Sequence, residues 1–184
     1  MATFTVVYDA NALWGAIPRD LLIRVAQAGL VRARWTDQIL DETFRTIMAK
    51  RPALAPARLT RTRALMNEAI RDVLVTGYEP LIEALELPDP DDRHVLAAAI
   101  KVGAQMIVTD DKDDFPADRL APWGIEARST DHFLHAMVDL NPKIVFGEVQ
   151  RIADSKGKPP MTVDDILDAL DRAGLVETVA ALRS

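Results

Sequence analysis

The sequence predicts an α/β fold: a three-layer sandwich with a central, mostly parallel sheet and a C-terminal helical extension. Two short apolar runs, residues 3–8 and 105–109, have the length and composition of buried strands. Segments with helical spacing separate the strand candidates, and this alternation is typical of a parallel sheet covered by helices. Beyond Pro142 the candidates are all helical. We therefore predict an α/β domain over residues 1–141 and a helical extension over residues 142–184.

The strands are predicted where short apolar or β-branched runs end at turn residues. In chain order they are residues 3–8, 31–35, 73–75, 105–109 and 125–127. The first ends at the loop residues Asp9-Ala10-Asn11, and the third stops before Gly77. These positions leave room for one helical connection or more between most consecutive strands, as parallel pairing requires.

Helices are predicted where apolar residues recur every three or four positions and a capping or breaking residue marks an end. In chain order they are residues 19–28, 37–51, 56–70, 79–85, 91–102 and a segment that Thr130 caps. Gly29 and Gly103 stand where two of them would end, and Thr36 can cap the second. The extension begins with a helix over residues 143–153, and a turn-rich linker follows at 155–160.

The last predicted helix of any length starts after the linker. Thr162 and Asp165 have the spacing of a capping box, and Gly174 separates this helix from a short final one. Its apolar stripe must be covered, either by the chain's own domain or by a partner.

Composition excludes several classes of protein. The chain has 184 residues, 49% of them hydrophobic and 27% charged, which suits a globular fold with its own core. No run approaches the roughly 20 apolar residues that span a bilayer, and no basic segment precedes a hydrophobic one at the start. We therefore expect a cytoplasmic protein without membrane contact. With no cysteine and three histidines, any metal here would be bound by oxygen.

The net charge of −6 conceals an uneven distribution. Residues 19–71 hold eleven Arg and Lys against five Asp and Glu, a net charge of +6, so the rest of the chain carries −12. The basic block could attract a polyanion that the acidic remainder repels, unless metal ions neutralise the acids.

Carboxylates follow two of the predicted buried strands, and ligands of parallel sheets bind beyond the carboxyl ends of strands. Asp9 follows the first strand, and Asp110 and Asp111 follow the strand over residues 105–109. Clustered carboxylates repel one another unless they are protonated or bind a cation, and oxygen ligands suit Mg²⁺ or Mn²⁺. Such an ion favours phosphodiester hydrolysis. Each acid alone also has an ordinary explanation as a turn former, helix cap or solvated side chain.

Three segments taken together resemble the PIN domain, a metal-dependent ribonuclease family that includes the VapC toxins of bacterial toxin–antitoxin pairs. They are VVYDAN (6–11), ILDE (39–42) and LPDPDDRHVLAAAIKVGAQMIVTDDKDDF (87–115). The third is the most specific: an acid precedes an alanine-rich helix, and a hydrophobic strand ends in Val-Thr before further acids. The resemblance spans roughly residues 3–135.

The resemblance implies a site made of carboxylates. It gives catalytic roles to Asp9, Glu42, Asp92 and Asp111, and metal-ligand roles to these four and Asp114. It gives supporting roles to Asn11, Thr109 and Asp91. Because the acids are crowded, Asp91 against Asp92 and Asp110 against Asp111 stay open by one position. We expect His94 to be a surface or hydrogen-bonded residue rather than a ligand.

The same resemblance explains the basic block as a surface that holds RNA phosphates. Its candidates are Arg58, Arg61 and Arg63, of which the first two share one side of a predicted helix. Surface solubilisation is the alternative. Trp14 and Trp35 could stack on bases, although core packing is the more common role.

The sequence therefore predicts an endoribonuclease that uses Mg²⁺ or Mn²⁺, acts as a toxin and is inhibited by a cognate antitoxin, with a homodimer also possible. A phosphatase or phospho-acceptor domain is one alternative, although it would ordinarily carry a second carboxylate where Asn11 stands. A catalytically inactive PIN-like binding scaffold is the other.

Overall fold

A four-stranded parallel sheet lies at the centre of the computed structural model, which describes residues 3–184. In the order β2-β1-β3-β4, its strands are β1 (Thr5–Tyr8), β2 (Arg32–Arg34), β3 (Met106–Val108) and β4 (Glu126–Arg128). The two central strands, β1 and β3, are buried at every residue, so helices cover both faces of the sheet. The predicted α/β sandwich is confirmed.

The helices occupy most of the remaining chain. They are α1 (Ala10–Leu13), α2 (Ala16–Gln27), α3 (Asp37–Lys50), α4 (Pro56–Ala69), α5 (Glu79–Ile82), α6 (Arg93–Lys101), α7 (Ala117–Leu120), α8 (Thr130–Leu140), α9 (Pro142–Asp154), α10 (Val163–Arg172) and α11 (Val176–Arg183). Short 3₁₀ turns lie at Pro90–Asp92, Lys112–Asp114 and Ala121–Trp123. No helix in residues 3–184 is both long and apolar enough to cross a bilayer.

The first helices differ from the sequence prediction. Asp9 accepts a hydrogen bond from the Ala10 N–H and caps α1, where the sequence predicted only a loop. Helix α2 begins at Ala16, three residues before the predicted start, with Pro18 in its first turn. Proline fits there because the first N–H groups of a helix have no partner within the helix.

Two further predictions are corrected. Residues 73–75 do not form a strand but a single parallel bridge, in which Leu74 pairs with Trp35. Helix α8 is capped by Ser129, which accepts a hydrogen bond from the His132 N–H, rather than by Thr130. The Thr130 side chain contacts Asp110 instead. Local sequence did not distinguish these neighbouring hydroxyl residues, because either can cap a helix.

The C-terminal helices pack against the rest of the chain. Helix α9 buries Val145, Val149 and Ile152 completely and lies against α2 and α8. Helix α10 begins with the predicted capping box of Thr162 and Asp165 and packs on α9 and α2, while α11 packs on α8. The apolar stripe of the extension is therefore covered by the chain's own domain.

One side chain fastens the last helix to α8. Both carboxylate oxygens of Asp131 accept hydrogen bonds from the first turn of α11, from the N–H groups of Glu177 (3.0 Å) and Thr178 (2.9 Å). The Thr178 hydroxyl, fully buried, donates to the same carboxylate over 2.7 Å. Asp131 thus supplies the N-terminal cap that α11 lacks locally.

We expect Asp131→Ala to loosen α11 at a cost of about 1–2 kcal/mol, because helix-capping hydrogen bonds to a carboxylate are lost. Hydrogen exchange measured by mass spectrometry should speed up over residues 176–183 and stay unchanged over β1 and β3. Asp139→Ala, on the same helix and exposed, is the matched control. Equal protection of α11 in both variants would contradict the role of this contact.

Candidate active site

Asp9 is the most buried carboxylate near the carboxyl ends of the strands. It follows β1 directly and its residue is 6% exposed. Its carboxylate accepts hydrogen bonds from the Ala10 N–H (2.8 Å) and the Thr109 hydroxyl (3.1 Å). Burial raises the pKa of Asp9 to about 6 despite these two donors. The folded chain therefore holds a carboxylate in a place that disfavours its negative charge.

Asn11 and Thr109 connect the ends of β1 and β3. The Asn11 amide nitrogen donates to Thr109 Oγ1 (3.0 Å) and to Asp111 Oδ2 (2.9 Å), and its oxygen accepts from the Asp110 N–H (3.0 Å). Thr109, fully buried, also accepts from the Asp111 N–H. This network fixes the positions of Asp9 and Asp111 relative to each other.

Asp110 and Asp111 make different contacts. Asp110 points toward α8, where its carboxylate accepts hydrogen bonds from the Thr130 N–H (2.9 Å) and the Thr130 hydroxyl (3.3 Å). Asp111 points toward Asn11. The contacts therefore favour Asp110 as a structural residue and Asp111 as the site residue.

Asp92 lies where several acids face one another. Partial burial is the main reason that its pKa rises to about 7, and the negative charges of Asp9, Asp114, Asp89 and Glu42 raise it further. Carboxylates from distant parts of the sequence thus lie close enough to repel one another. Asp92 takes part in this repulsion through four neighbours, which favours it over Asp91.

Asp91 faces an adjacent cleft of about 420 Å³, which Glu42 and His94 also line. Asp89 caps the short 3₁₀ turn by accepting from the Asp91 N–H. Asp91 therefore lines this cleft, whereas Asp92 does not.

Glu42 is held by a residue that the sequence analysis did not assign to the site. His94 Nε2 lies 2.8 Å from Glu42 Oε1, and His94 is almost fully buried on α6. Because a carboxylate only accepts, the Nε2 proton donates to Glu42. The other ring nitrogen, Nδ1, is buried without a hydrogen-bond partner among residues 3–184. The signal in the sequence was the position of His94 on the apolar helix α6, two residues after Asp92, which precedes that helix.

The carboxylates of the site are oxygen donors of the kind that a hard divalent ion binds. Within the described residues, no three Asp, Glu, His or Cys side chains stand close enough together to hold one ion directly. Magnesium dehydrates reluctantly and is commonly held by one or two carboxylates, with water and substrate phosphate completing its shell. The oxygen-only donors and the raised pKa values of Asp9 and Asp92 both favour a cation that offsets the repulsion.

The three arginine candidates lie in different environments on α4. Arg63 forms ion pairs with Asp41 (2.6 Å) and Asp37 (3.2 Å), so its charge is already neutralised by α3. Arg58 and Arg61 are exposed. The second aromatic candidate, Trp35, is fully buried and donates to Asn67, so it is a core residue as the common role predicted.

The comparison with protein families decides where this chain belongs. The profile described as "PIN domain" matches residues 5–113, more than half of the sequence. The chain belongs to the PIN domain family. The matched segment of this PIN domain contains Asp9, Glu42, Asp92 and Asp111, and it ends just before Asp114.

A second profile covers the end of the chain. The profile described as "VapC50 C-terminal domain" matches residues 130–184, which begin at the first residue of α8. Among curated proteins, "Putative ribonuclease VapC50" of Mycobacterium tuberculosis is 39% identical over 94 residues. That alignment covers 51% of this chain and 55% of the relative, so this chain spans only about half of that protein's length. No solved structure gives a significant match.

Proposed function

We propose that this PIN domain protein is an endoribonuclease that hydrolyses RNA phosphodiester bonds with the help of Mg²⁺ or Mn²⁺. The observation that carries the proposal is the convergence of carboxylates around Asp92, whose pKa is raised by burial and by four acidic neighbours. Family membership and the similarity to a protein named as a ribonuclease support the same activity.

The proposed site consists of carboxylates that would hold the ion and of neighbouring side chains that keep those carboxylates in position. Asp9, Glu42, Asp92 and Asp111, with Asp114 as a further ligand, would hold the ion in part through bound water molecules. When bound, the ion neutralises charge that develops on the phosphate and lowers the pKa of a water molecule. The chain's own residues keep the acids in position: the Thr109 hydroxyl and the Asn11 amide fix Asp9 and Asp111, and His94 fixes Glu42.

Arginines on α4 would hold the RNA. Arg58 and Arg61 are exposed on α4 and are proposed to contact phosphates. Arg63 was predicted to act in the same way, and we propose that it contributes indirectly, because its ion pairs with Asp37 and Asp41 join α4 to α3.

We further propose that the protein is the toxin of a toxin–antitoxin pair in the cytoplasm, with a cognate antitoxin as its partner and a homodimer as a possible assembly. The support is the 39% identity to "Putative ribonuclease VapC50" over 94 residues and the match of residues 130–184 to the "VapC50 C-terminal domain" profile. Residues 1–141 would form the nuclease domain and residues 142–184 the extension. Asn141 stands at the boundary, since it ends α8 and caps α9.

Dependence of cleavage on a divalent ion tests the proposed activity. Purified protein, treated with EDTA and dialysed, should not cleave a single-stranded RNA, and Mg²⁺ or Mn²⁺ added in excess of the chelator should restore cleavage. Ca²⁺ is a useful comparison because its looser coordination supports phosphoryl chemistry less well. Cleavage that persists in EDTA, or its absence with both ions, would contradict the proposal, and the second result would favour the inactive scaffold.

A further inference from the structure

A cavity outside the acidic site, by which we mean Asp9, Glu42, Asp92 and Asp111, has the chemistry of a nucleotide subsite. It lies between the α1–α2 junction, α3 and α4 and has a volume of about 490 Å³, which suits a small planar ligand. Its floor is apolar and includes Phe44, Ile47 and Leu59, each less than 10% exposed. At its rim stands Trp14, whose side chain remains 41% exposed. An exposed aromatic ring beside an apolar floor offers a stacking surface for a base.

The cavity is also lined by cations without anionic partners. These are Arg19, Lys50, Arg51 and Arg58. None of the four forms an ion pair among residues 3–184, in contrast to Arg63 and Arg24, and no Asp or Glu lines the cavity. Four unpaired cations around an apolar space create a positive potential that favours an anionic ligand.

Two of these cations are placed by contacts with the tryptophan. The Lys50 ammonium lies over the Trp14 ring, 4.4 Å from its centroid, a cation–π contact that places positive charge on one face of the ring. The Arg19 guanidinium donates to the carbonyl oxygens of Leu13 (3.0 Å) and Trp14 (3.2 Å) and so supports the backbone that carries the ring. Aromatic ring and charge are thus organised before a ligand arrives.

The start of α2 adds hydrogen-bond donors to the same wall. Gly15 is the N-cap of this 12-residue helix and provides no side-chain cap, and both Gly15 and Ala16 line the cavity. The first N–H groups of a helix lack partners within it, and they attract phosphate. The donors lie beside Trp14 rather than at a separate place.

The cavity lies next to the acidic site in the fold. Asp9 caps α1 and Trp14 follows its last residue, so their backbones are about 8 Å apart along α1 at 1.5 Å per residue. A single strand whose phosphate enters the acidic site therefore has a neighbouring nucleotide within reach of the cavity.

We propose that this cavity binds one nucleotide of single-stranded RNA, with its base against Trp14 and its phosphate held by Arg51, Arg58 and the start of α2. The inference rests on the proposed ribonuclease function and assigns to it a substrate subsite. A protein segment is the other conceivable occupant. The nucleotide is favoured because the cavity combines an exposed aromatic ring, unpaired cations and free N–H donors, which together match a base and its phosphate.

The experiment measures binding without cleavage. Fluorescein-labelled hexa-adenylate RNA is titrated with each protein in EDTA, and fluorescence anisotropy reports the Kd. Trp14→Ala should weaken binding about tenfold or more, the usual loss for a stacked base, whereas Trp14→Phe should stay within about threefold. Trp123→Ala is the matched control, because Trp123 is 50% exposed and lies outside the cavity. Thermal melting confirms that each variant is folded.

The charge contribution is tested with a second pair of variants. Arg58→Ala should weaken binding and reduce the slope of log K against log salt concentration by about 1, as expected for one lost phosphate contact. Arg172→Ala, an exposed cation on α10, should change neither quantity. Equal affinities of Trp14→Ala and the wild type, or equal losses in Trp14→Ala and Trp123→Ala, would overturn the subsite.

The outcomes separate this inference from the proposed function. If RNA binding depends on Trp14 but the protein does not cleave RNA with Mg²⁺ or Mn²⁺, the ribonuclease proposal is refuted and the subsite is supported. If the protein cleaves RNA but Trp14→Ala leaves RNA binding unchanged, the subsite is refuted and the ribonuclease proposal is supported. A labelled peptide of alternating leucine and glutamate tests the other occupant. If Trp14→Ala weakens binding of this peptide but not of RNA, the cavity binds a protein partner.

Discussion

Replacement of Asp9 by asparagine is expected to reduce RNA cleavage about 100-fold or more at saturating Mg²⁺, because it removes a proposed ligand of the ion that stabilises charge at the reacting centre. Asparagine keeps the size of the side chain and an oxygen that can still accept from the Ala10 N–H, so α1 should form normally. It removes the negative charge that, together with Asp92, favours a cation. Initial rates on one labelled RNA, with binding of that RNA measured in parallel, separate lost chemistry from lost affinity.

Asp113→Asn is the matched control for this variant. Asp113 is an exposed carboxylate in the 3₁₀ turn after β3, near the site in sequence but outside its hydrogen-bond network. The same charge is removed from the same end of the sheet, and cleavage should stay within about threefold. If the two variants were equally active, the central role of Asp9 would be refuted. If both lost activity equally, total negative charge rather than Asp9 would matter.

The same replacement is expected to stabilise the metal-free protein, with an effect that depends on pH. Burial raises the pKa of Asp9 from 3.8 to about 6, so the folded state disfavours its ionised form. Below pH 3.8 the carboxyl is neutral in both states and costs nothing. As the pH rises from 3.8 to about 6, the free energy of unfolding falls, because Asp9 ionises in the unfolded chain but stays protonated in the folded one. At 1.36 kcal/mol per pKa unit, the full penalty is about 3 kcal/mol.

Urea unfolding of the wild type and of Asp9→Asn in EDTA measures this difference. The free energy of unfolding of the variant, relative to the wild type, should increase between pH 4.5 and pH 7.5 and then level off. Asp92 adds to the decline of the wild type in the same direction, since its pKa is raised to about 7, and it adds less in the variant, because the charge of Asp9 is one of the causes of that rise. A constant difference across this range would contradict the buried, charge-disfavouring environment of Asp9.

Addition of Mg²⁺ should reverse the order of stability. An ion that binds only the folded state stabilises it according to its concentration and Kd, and the wild type keeps the carboxylate that the variant lacks. The midpoint of wild-type unfolding should therefore rise with Mg²⁺ concentration more than that of Asp9→Asn. Such a pattern links the stability cost of Asp9 to its proposed use in the site.

The strands β1 and β3 and the helix α3 were predictable because the sequence signals of each lie within the element itself or next to it. Buried strands β1 and β3 are continuous apolar runs, and α3 has its stripe and its Thr36 cap within fifteen residues. The errors at residues 73–75 and at Thr130 arose where contacts with residues distant in the sequence determine the local structure. Residues 73–75 pair with Trp35 at only one bridge, and Thr130 turns to Asp110 instead of capping its own helix. Neither distant partner is visible in a local window.

From residue types and spacing alone, the four strands of the sheet, the order of the acids along the chain and, through its motifs, the family could be predicted. Those features depend on residue type and on the spacing of apolar residues, both of which can be seen in a short stretch of sequence. The contacts of Asp110 with Thr130 and of Asp111 with Asn11 appear only in the folded chain. The same holds for the ion pair of Arg63 with Asp41 and for the contact of His94 with Glu42. Neighbouring residues of like charge look alike in a sequence. Their surroundings differ only after folding, because burial and opposing charges set what each of them can do.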